Sequence, residues 1–503
     1  MHTFPSATQL SVEARPKKFN GYLILQFLVL ILLGSVLLSY SSSLVYVFAG
    51  AVSLGLCWLV SIYVRRAGLE LWQAIVLITL FGYLLLNYGF ENLTIHIGGI
   101  PLILSYAAMF TALGLAVFSH WGIMQRALKE PAMLCILALL ALAFVHLLVD
   151  LPSYGLWAIR DASMCLDGLF FLLGMLWATR KNCTGVLTKW LMVLFVVNLV
   201  YSFTMPWGEQ LWSWSPQSGV FLHVPILGNY RNCALLLMTG ALFVIYQSEL
   251  AVTRSRRWIL LGLAVAQLLG MAVTQARTTY IGLAGMFVVL VVIRENKNWT
   301  KLLVMFSLML GALLWVTVAG IEIPGRIGKV DIAFLTQHLR SISGEAGTPG
   351  STVESRVEFA DEALDKLRTS PLLGVGFGEP LLSYVDDETG VVVRMPHNSS
   401  LSFLARMGII GFSVFVAFHL CLTKGFLSAI WRRRYCDRHL WLLVLWLLSF
   451  YVQFMISSFA EGPFEFPSAA IPFYFFMGLA AGLIRWRMPV QPAASQPAVK
   501  SAA

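Results

Sequence analysis

Long apolar runs separated by short polar linkers dominate the chain, near residues 21–39, 44–64, 72–88, 99–118, 132–150, 163–179, 187–204, 231–248, 258–275, 280–293, 301–319, 399–423, 440–458 and 469–484. At about 1.5 Å per residue most of them match a hydrocarbon core about 30 Å thick, so the pattern predicts an all-α polytopic membrane protein of about 12–14 transmembrane helices. The rhythm is interrupted once. Between the eleventh and twelfth runs lie about eighty residues, roughly 320–398, and connections of that length are usually functional or disordered. Within them Ser351 and Glu354 fit a capping box. Val353, Val357, Ala360, Leu364 and Leu367 then recur at helical spacing before Pro371, which predicts an amphipathic helix over 351–370. Its other face carries Glu358, Asp361, Glu362, Asp365 and Lys366, with Glu362 and Lys366 spaced to pair. A weaker helix is expected over 326–340.

This gives a working division of the chain: a short segment 1–20, a helical bundle 21–319, a loop domain 320–398, C-terminal helices 399–487 and a polar tail 488–503 rich in Pro, Ala, Ser and Gln that is expected to be disordered. The first apolar run is longer than a secretory leader and lacks a small-residue cleavage pattern, so it is expected to remain as a helix. Composition agrees with the pattern, since 58% of residues are hydrophobic and 12% charged, too apolar for a soluble protein of this size.

Charge adds orientation. Most of the 35 Lys and Arg fall in alternate linkers and the two tails, and the positive-inside rule makes that face cytoplasmic, with both termini there. The net charge of +10 is therefore a topology signal and not a nucleic-acid signature. Seven cysteines lie in apolar runs or on the inner side, with no CxxC pair and no disulfide framework.

A few titratable groups break the rule by sitting on the outer face at the start of apolar runs. Arg231 in Gly228-Asn-Tyr-Arg-Asn232 opens the eighth run, and Arg277 in Thr274-Gln-Ala-Arg-Thr-Thr-Tyr280 occupies a tight turn between two runs. His397 precedes Asn398 and Ser399, good N-cap residues for the twelfth. Helix N-termini favour anions, and guanidinium matches phosphate in bidentate geometry. Arginine is costly at membrane depth, however, and structural ion pairs to Asp161, Asp167 or Glu209 are the competing explanation. Arg356 sits in the first turn of the amphipathic helix and could join the set or be a solvated charge. A histidine beside a positive helix end is expected to stay neutral near pH 7, able to accept a proton, or else to be an ordinary interfacial side chain. Asn232, Thr278, Asn398 and Gly376 are secondary candidates. Gly376 belongs to Leu372-Leu-Gly-Val-Gly-Phe-Gly378, which either lets a ligand approach the backbone or only turns the chain. Asp386-Asp-Glu388 has oxygen ligands for a divalent cation but reads better as a solvated acidic turn.

The ordered set Gly228-Asn-Tyr-Arg-Asn232, Ala276-Arg-Thr-Thr279, Glu354-Ser-Arg356, Pro371 to Gly378 and Pro396-His-Asn398 resembles the bacterial O-antigen ligase and polymerase superfamily over about residues 220–425. The resemblance implies a GT-C-like bundle in the bacterial inner membrane, acting at the periplasmic face. It implies a metal-independent, inverting glycosyltransferase with no cofactor, an undecaprenyl-pyrophosphate-linked glycan as donor and lipid A-core as acceptor. It also implies that Arg231, Arg277 and Arg356 hold the pyrophosphate while His397 serves the acceptor hydroxyl. Fourteen crossings and a long outer segment depart from the usual ligase pattern. A polymerase and a protein oligosaccharyltransferase use the same donor chemistry and stay open as alternatives. A lipid-linked sugar flippase is the rival of another class. Transporters place ionisable residues and helix breaks near the midplane, whereas here the cations gather at one face.

Overall fold

The computed structural model describes residues 68–97, 100–220, 224–326, 329–330, 333, 336, 352–385 and 392–489. The first two expected crossings, the flexible stretch 344–350, Asp386-Asp-Glu388 and the tail from 490 lie outside the described residues, as does most of the weaker helix expected over 326–340. The chain divides into two units, Met1–Ile75 and Val76–Ala503, and the second carries the helical bundle and its cavity.

The protein is an all-α polytopic membrane protein. Among the described residues eight helices are long and apolar enough to cross a membrane, or nine when Leu104–Ser119 and Trp121–Ala127, bent by 107°, count as one broken span. In chain order the described helices are α1 (Leu71–Leu86), α2 (Tyr88–Glu91), α3 (Leu104–Ser119), α4 (Trp121–Ala127), α5 (Pro131–Tyr154), α6 (Leu156–Leu166), α7 (Phe171–Ala178), α8 (Cys183–Ser202), α9 (Gly208–Trp214), α10 (Cys233–Gln247), α11 (Arg254–Thr274), α12 (Arg277–Val292), α13 (Asn296–Val318), α14 (Thr352–Thr369), α15 (Ser399–Arg432), α16 (Arg438–Ala460) and α17 (Pro467–Trp486).

Burial separates core helices from lipid-facing ones. The continuous span of α6 and α7 is 89% buried and α17 is 83% buried, whereas α5 and α13 are 28% and 22% buried. α7 and α17 touch backbone to backbone: a Cβ on Gly174 would lie 1.9 Å from the Phe475 carbonyl oxygen, and one on Gly478 would lie 1.9 Å from that of Phe171. Without a water-driven hydrophobic effect between helices in lipid, such small-residue contacts supply the packing.

Three local differences from the sequence reading have physical causes. Residues 100–103 do not begin the fourth crossing; Ile100–Ile103 pairs antiparallel with Thr94–Ile97, and α3 starts at Leu104. Both strands are rich in β-branched residues, which favour this geometry. The twelfth crossing is longer than 399–423, since α15 runs to Arg432 and is broken at Gly408 (φ 61°). The part beyond the break spans about 36 Å at 1.5 Å per residue, enough to cross by itself. The amphipathic helix is present as α14, but its buried stripe is Phe359 and Ala363, while Val357 is 57% exposed. Ala363 packs with Leu381 and Ala405, so protein, and not a membrane surface, selects the buried face. Glu362 and Lys366 likewise turn to other partners: Glu362 accepts the Ser383 amide at 2.7 Å, and Lys366 pairs with Glu379.

Candidate functional site

A cavity of about 390 Å³ opens where α11 and α16 end and α10 and α12 begin, and its lining brings together Arg231, Arg277, Arg326 and Arg356 with Asn232, Thr278, Gln453 and Glu461. Four arginines from widely separated stretches of sequence thus share one space, with one carboxylate among the described lining residues.

Each is held by local structure. α11 ends on Gln275 in the left-handed region (φ 53°), Ala276 is extended and caps the next helix, and Arg277 is the first residue of α12. The two-residue turn leaves no room for a longer linker, so Arg277 must sit at a helix N-terminus, where the backbone dipole favours anions. Gln453, fully buried on α16, reaches the Thr278 carbonyl at 3.5 Å and fixes this turn against the bundle. Arg231 precedes α10. Its guanidinium lies 3.6 Å from the centroid of the Phe466 ring, a cation–π contact that steers the side chain without neutralising it. Asn232 is a scaffold residue: its amide N–H donates to Asn87 Oδ1 at 2.9 Å and its side chain to the Ser468 carbonyl at 3.0 Å. Arg356 is exposed in the first turns of α14.

His397 does not line this cavity. It is half-buried, in a left-handed conformation (φ 51°) just before Asn398, whose side chain caps α15 by accepting the Leu401 amide at 3.1 Å. Burial holds the imidazole below the usual histidine value of 6.5, and the charges of Arg231 and Arg356 push it the same way. The ring is therefore neutral at pH 7. The sequence reading expected this neutrality from the helix end, whereas the larger causes are desolvation and the two arginines. Electrostatics thus ties the imidazole to the cavity even though it lies beside it.

The glycine-rich turn around Gly376 has a partner that the sequence did not show. The amides of Val375 and Gly376 donate to the carbonyls of Ala405 and Arg406, both at 2.9 Å, and Ile409 and Ile410 donate back to Pro371 and Leu372 at 2.9 and 3.2 Å. The turn is inserted into the break in α15 at Gly408. The next two amides are taken as well, Phe377 donating to Asp150 at 2.7 Å and Gly378 to Asp161 at 3.1 Å. At Gly376 (φ 80°) a Cβ would fall 2.2 Å from the Asp150 carboxylate. These contacts give the turn a structural task.

Asp161 is ion-paired with Arg406 at 3.0 Å and Arg394 at 3.1 Å as well as with Arg160, so it is committed to arginines away from the cavity. Asp167, the second carboxylate considered, accepts from the Tyr106 hydroxyl at 2.9 Å. Glu465, in the turn before α17, accepts from Ser402 near the start of α15, and burial raises its carboxyl to about 7 against the opposing charge of Arg406. The sequence reading missed Arg326, Glu461, Gln453 and Phe466. Glu461 carried the same signal as Arg277, a charge close to the end of an apolar run, whereas nothing local marks Arg326, Gln453 or Phe466.

A search of curated proteins found no match to the chain. Residues 261–416 match a family model described as O-antigen ligase, a segment that carries Arg277, Arg326, Arg356 and His397 and stops short of Glu461. That match, over less than half of the chain, supports the O-antigen ligase and polymerase superfamily.

Proposed function

We propose that the protein is a glycosyltransferase of the ligase type, moving a glycan from an undecaprenyl-pyrophosphate carrier to a sugar hydroxyl of lipid A-core at the periplasmic face of the inner membrane. The observation that carries this reading is the convergence of four guanidinium groups on one cavity beside a neutral imidazole.

The difficult part of the reaction is departure of the lipid diphosphate. As the bond from sugar C1 to the bridging oxygen breaks, negative charge grows on the diphosphate. Fixed cations in a partly dehydrated cavity stabilise that charge without reorganising, as charged donors do in other transition states. Arg231, Arg277 and Arg356 take this role, with the N-terminus of α12 adding backbone amides. The other partner is a sugar hydroxyl, a weak nucleophile until its proton is removed during attack. His397 accepts that proton while the hydroxyl oxygen bonds to C1 from the side opposite the diphosphate, inverting the anomeric centre. Guanidinium charge supplies the neutralisation that a divalent cation supplies in many phosphate sites, so the reading is metal-independent.

Arg231, Arg277 and Arg356 cannot tell one acceptor from another, and polymerase or protein glycosylation would use the same donor end. Purified protein reconstituted with a defined lipid-linked oligosaccharide, and offered lipid A-core, a second donor molecule and a pilin in turn, identifies the branch. Product on lipid A-core supports the ligase reading. No transfer to any acceptor, with donor flipping across the vesicle instead, would replace it with a transporter.

A further inference from the structure

We infer that Glu461 and Ser457, at the end of α16, form a subsite for sugar hydroxyls in the cavity, with Glu461 as a residue that sets which glycan is accepted. This rests on reading the cavity as the site of a lipid-linked glycan, and it concerns the carbohydrate and not the phosphates.

Gln453, Ser457 and Glu461 recur at four-residue spacing along α16 and its C-cap, so they share one face of the helix, and all three line the cavity. Polar side chains on a membrane helix are costly and mark a ligand path by default. The inner end of this stripe also serves the fold. Gln453 is fully buried and seated on Gly282 of α12, where a Cβ would lie 1.2 Å from its Oε1. Its Nε2 donates to the Ser457 hydroxyl at 3.4 Å, which leaves the Ser457 O–H to donate elsewhere. Glu461 is different. Its amide closes the helix on the Ser457 carbonyl at 2.8 Å, but its half-buried carboxylate makes no hydrogen bond or ion pair with any described residue. A helix C-terminus is the negative end of the backbone dipole, so α16 gains nothing from an acid there.

The segment after Glu461 is fastened to the segment that carries His397. A Cβ on Gly462 would lie 3.0 Å from Met395 Sδ, and the Phe464 amide donates to Ser399 Oγ at 3.3 Å. Met395 and Ser399 flank His397, two residues away on either side. The carboxylate that lines the cavity and the imidazole beside it thus stand on two pieces of backbone held together. Hydrogen-bond chemistry then names the ligand class. A carboxylate only accepts, and a diphosphate diester carries acceptors and negative charge, so the two repel. A sugar hydroxyl can donate to Glu461 and accept from Ser457. It belongs either to the sugar bonded to the diphosphate or to the acceptor glycan, and one set of variants separates these sources.

Full-length protein in nanodiscs would be prepared as wild type, Glu461→Gln and Ser457→Ala, with folding checked by the unfolding temperature. Binding of undecaprenyl diphosphate without sugar, and of the lipid-linked oligosaccharide of the transfer assay, is measured without acceptor, followed by KM for lipid A-core. Removing a negative charge beside an anion leaves the sugarless diphosphate bound as well as before or more tightly. The readout is therefore the ratio of affinities with and without the sugar, from which that general charge effect cancels. Loss of a charge-assisted hydrogen bond is expected to lower this ratio about tenfold in Glu461→Gln, with a smaller fall in Ser457→Ala. That result assigns the donor sugar. An unchanged ratio with a tenfold rise in KM for lipid A-core assigns the acceptor. An unchanged ratio and KM, or an equal loss for every ligand, overturns the inference. If Arg277→Ala and Arg231→Ala leave diphosphate binding intact, the reading of the cavity fails and this inference with it; if they weaken it while Glu461→Gln alters neither ratio nor KM, only this inference fails.

Discussion

The two ends of α16 treat arginine in opposite ways. At the N-terminal end, Arg438 is clamped by two carboxylates, with Glu249 and Glu295 each accepting from the guanidinium at 2.8 Å, and the Trp441 indole N–H reinforces Glu295 at 2.7 Å. At the C-terminal end, about 33 Å away at 1.5 Å per residue, Glu461 is the single carboxylate among the described lining residues of a cavity with four arginines, and Arg231 rests on an aromatic face. A guanidinium bound to two buried carboxylates has its hydrogen-bonding capacity spent and can only hold the fold. A guanidinium over a ring keeps its charge and most of its donors for a ligand. The Asp161 cluster belongs with the first kind, since Arg394 and Arg406 share one buried carboxylate. In this chain, local partners and not residue type distinguish an arginine clamped by carboxylates from one that lines the cavity.

Variants at the two ends should therefore fail in different assays. The largest effect is expected for His397→Ala: removal of a general base lowers turnover by about 10²–10⁴-fold while abundance and unfolding temperature stay near wild type, and near-normal transfer would remove the assignment. Arg277→Ala is expected to lower turnover by about 10²–10³-fold with folding retained; donor binding that did not change would count against its role on the diphosphate. Arg438→Ala should show the reverse pattern. It strands two carboxylates that are 10% and 7% exposed, and the expected loss of stability is about 2–3 kcal/mol. That is below the roughly 3–5 kcal/mol of a fully buried pair, because the guanidinium itself is 41% exposed. Thermal unfolding in detergent measures it, and the surviving folded fraction should keep its specific activity.

A smaller effect sharpens the contrast at Arg231. Phe466→Leu removes the ring face and should cost about 0.5–1 kcal/mol of positioning, read as a several-fold rise in KM for donor with little change in unfolding temperature. The smallest is a shift in pH dependence. As the proposed base, His397 would accept a proton only when neutral, and its pKa is depressed, so activity should hold at pH 7 and fall only at pH values below the ordinary histidine range. Arg231 and Arg356 contribute to the depression. Arg356→Gln should therefore move the acidic limb of the kcat profile to higher pH, and an unmoved limb would mean that another group titrates.

Much of the helical framework was legible in the chain because its cause is local: a hydrocarbon solvent demands runs of apolar residues with every backbone group bonded internally. The cap before α15 was legible for the same reason: the Asn398 side chain accepts the Leu401 amide at 3.1 Å. The positions of Arg231, Arg277 and His397 at the starts of helices followed directly. The glycine-rich stretch could not be assigned, because its partner is the break at Gly408 and a pair of aspartates more than two hundred residues earlier. The buried stripe of α14 was misjudged by the register of its apolar residues, since Ala363 is small enough to meet Ala405 closely and Val357 is not needed there.

The sequence alone therefore determined which stretches become helices and which charges sit at their ends, because hydropathy, capping and helix dipoles act over a few residues. Only the tertiary structure decided which arginines meet carboxylates and which converge on a cavity. Residues 231, 277, 326 and 356 share a space only after α10, α11, α12 and α16 have packed, and electrostatic interactions depend on distance and burial through that packing, not on separation along the chain.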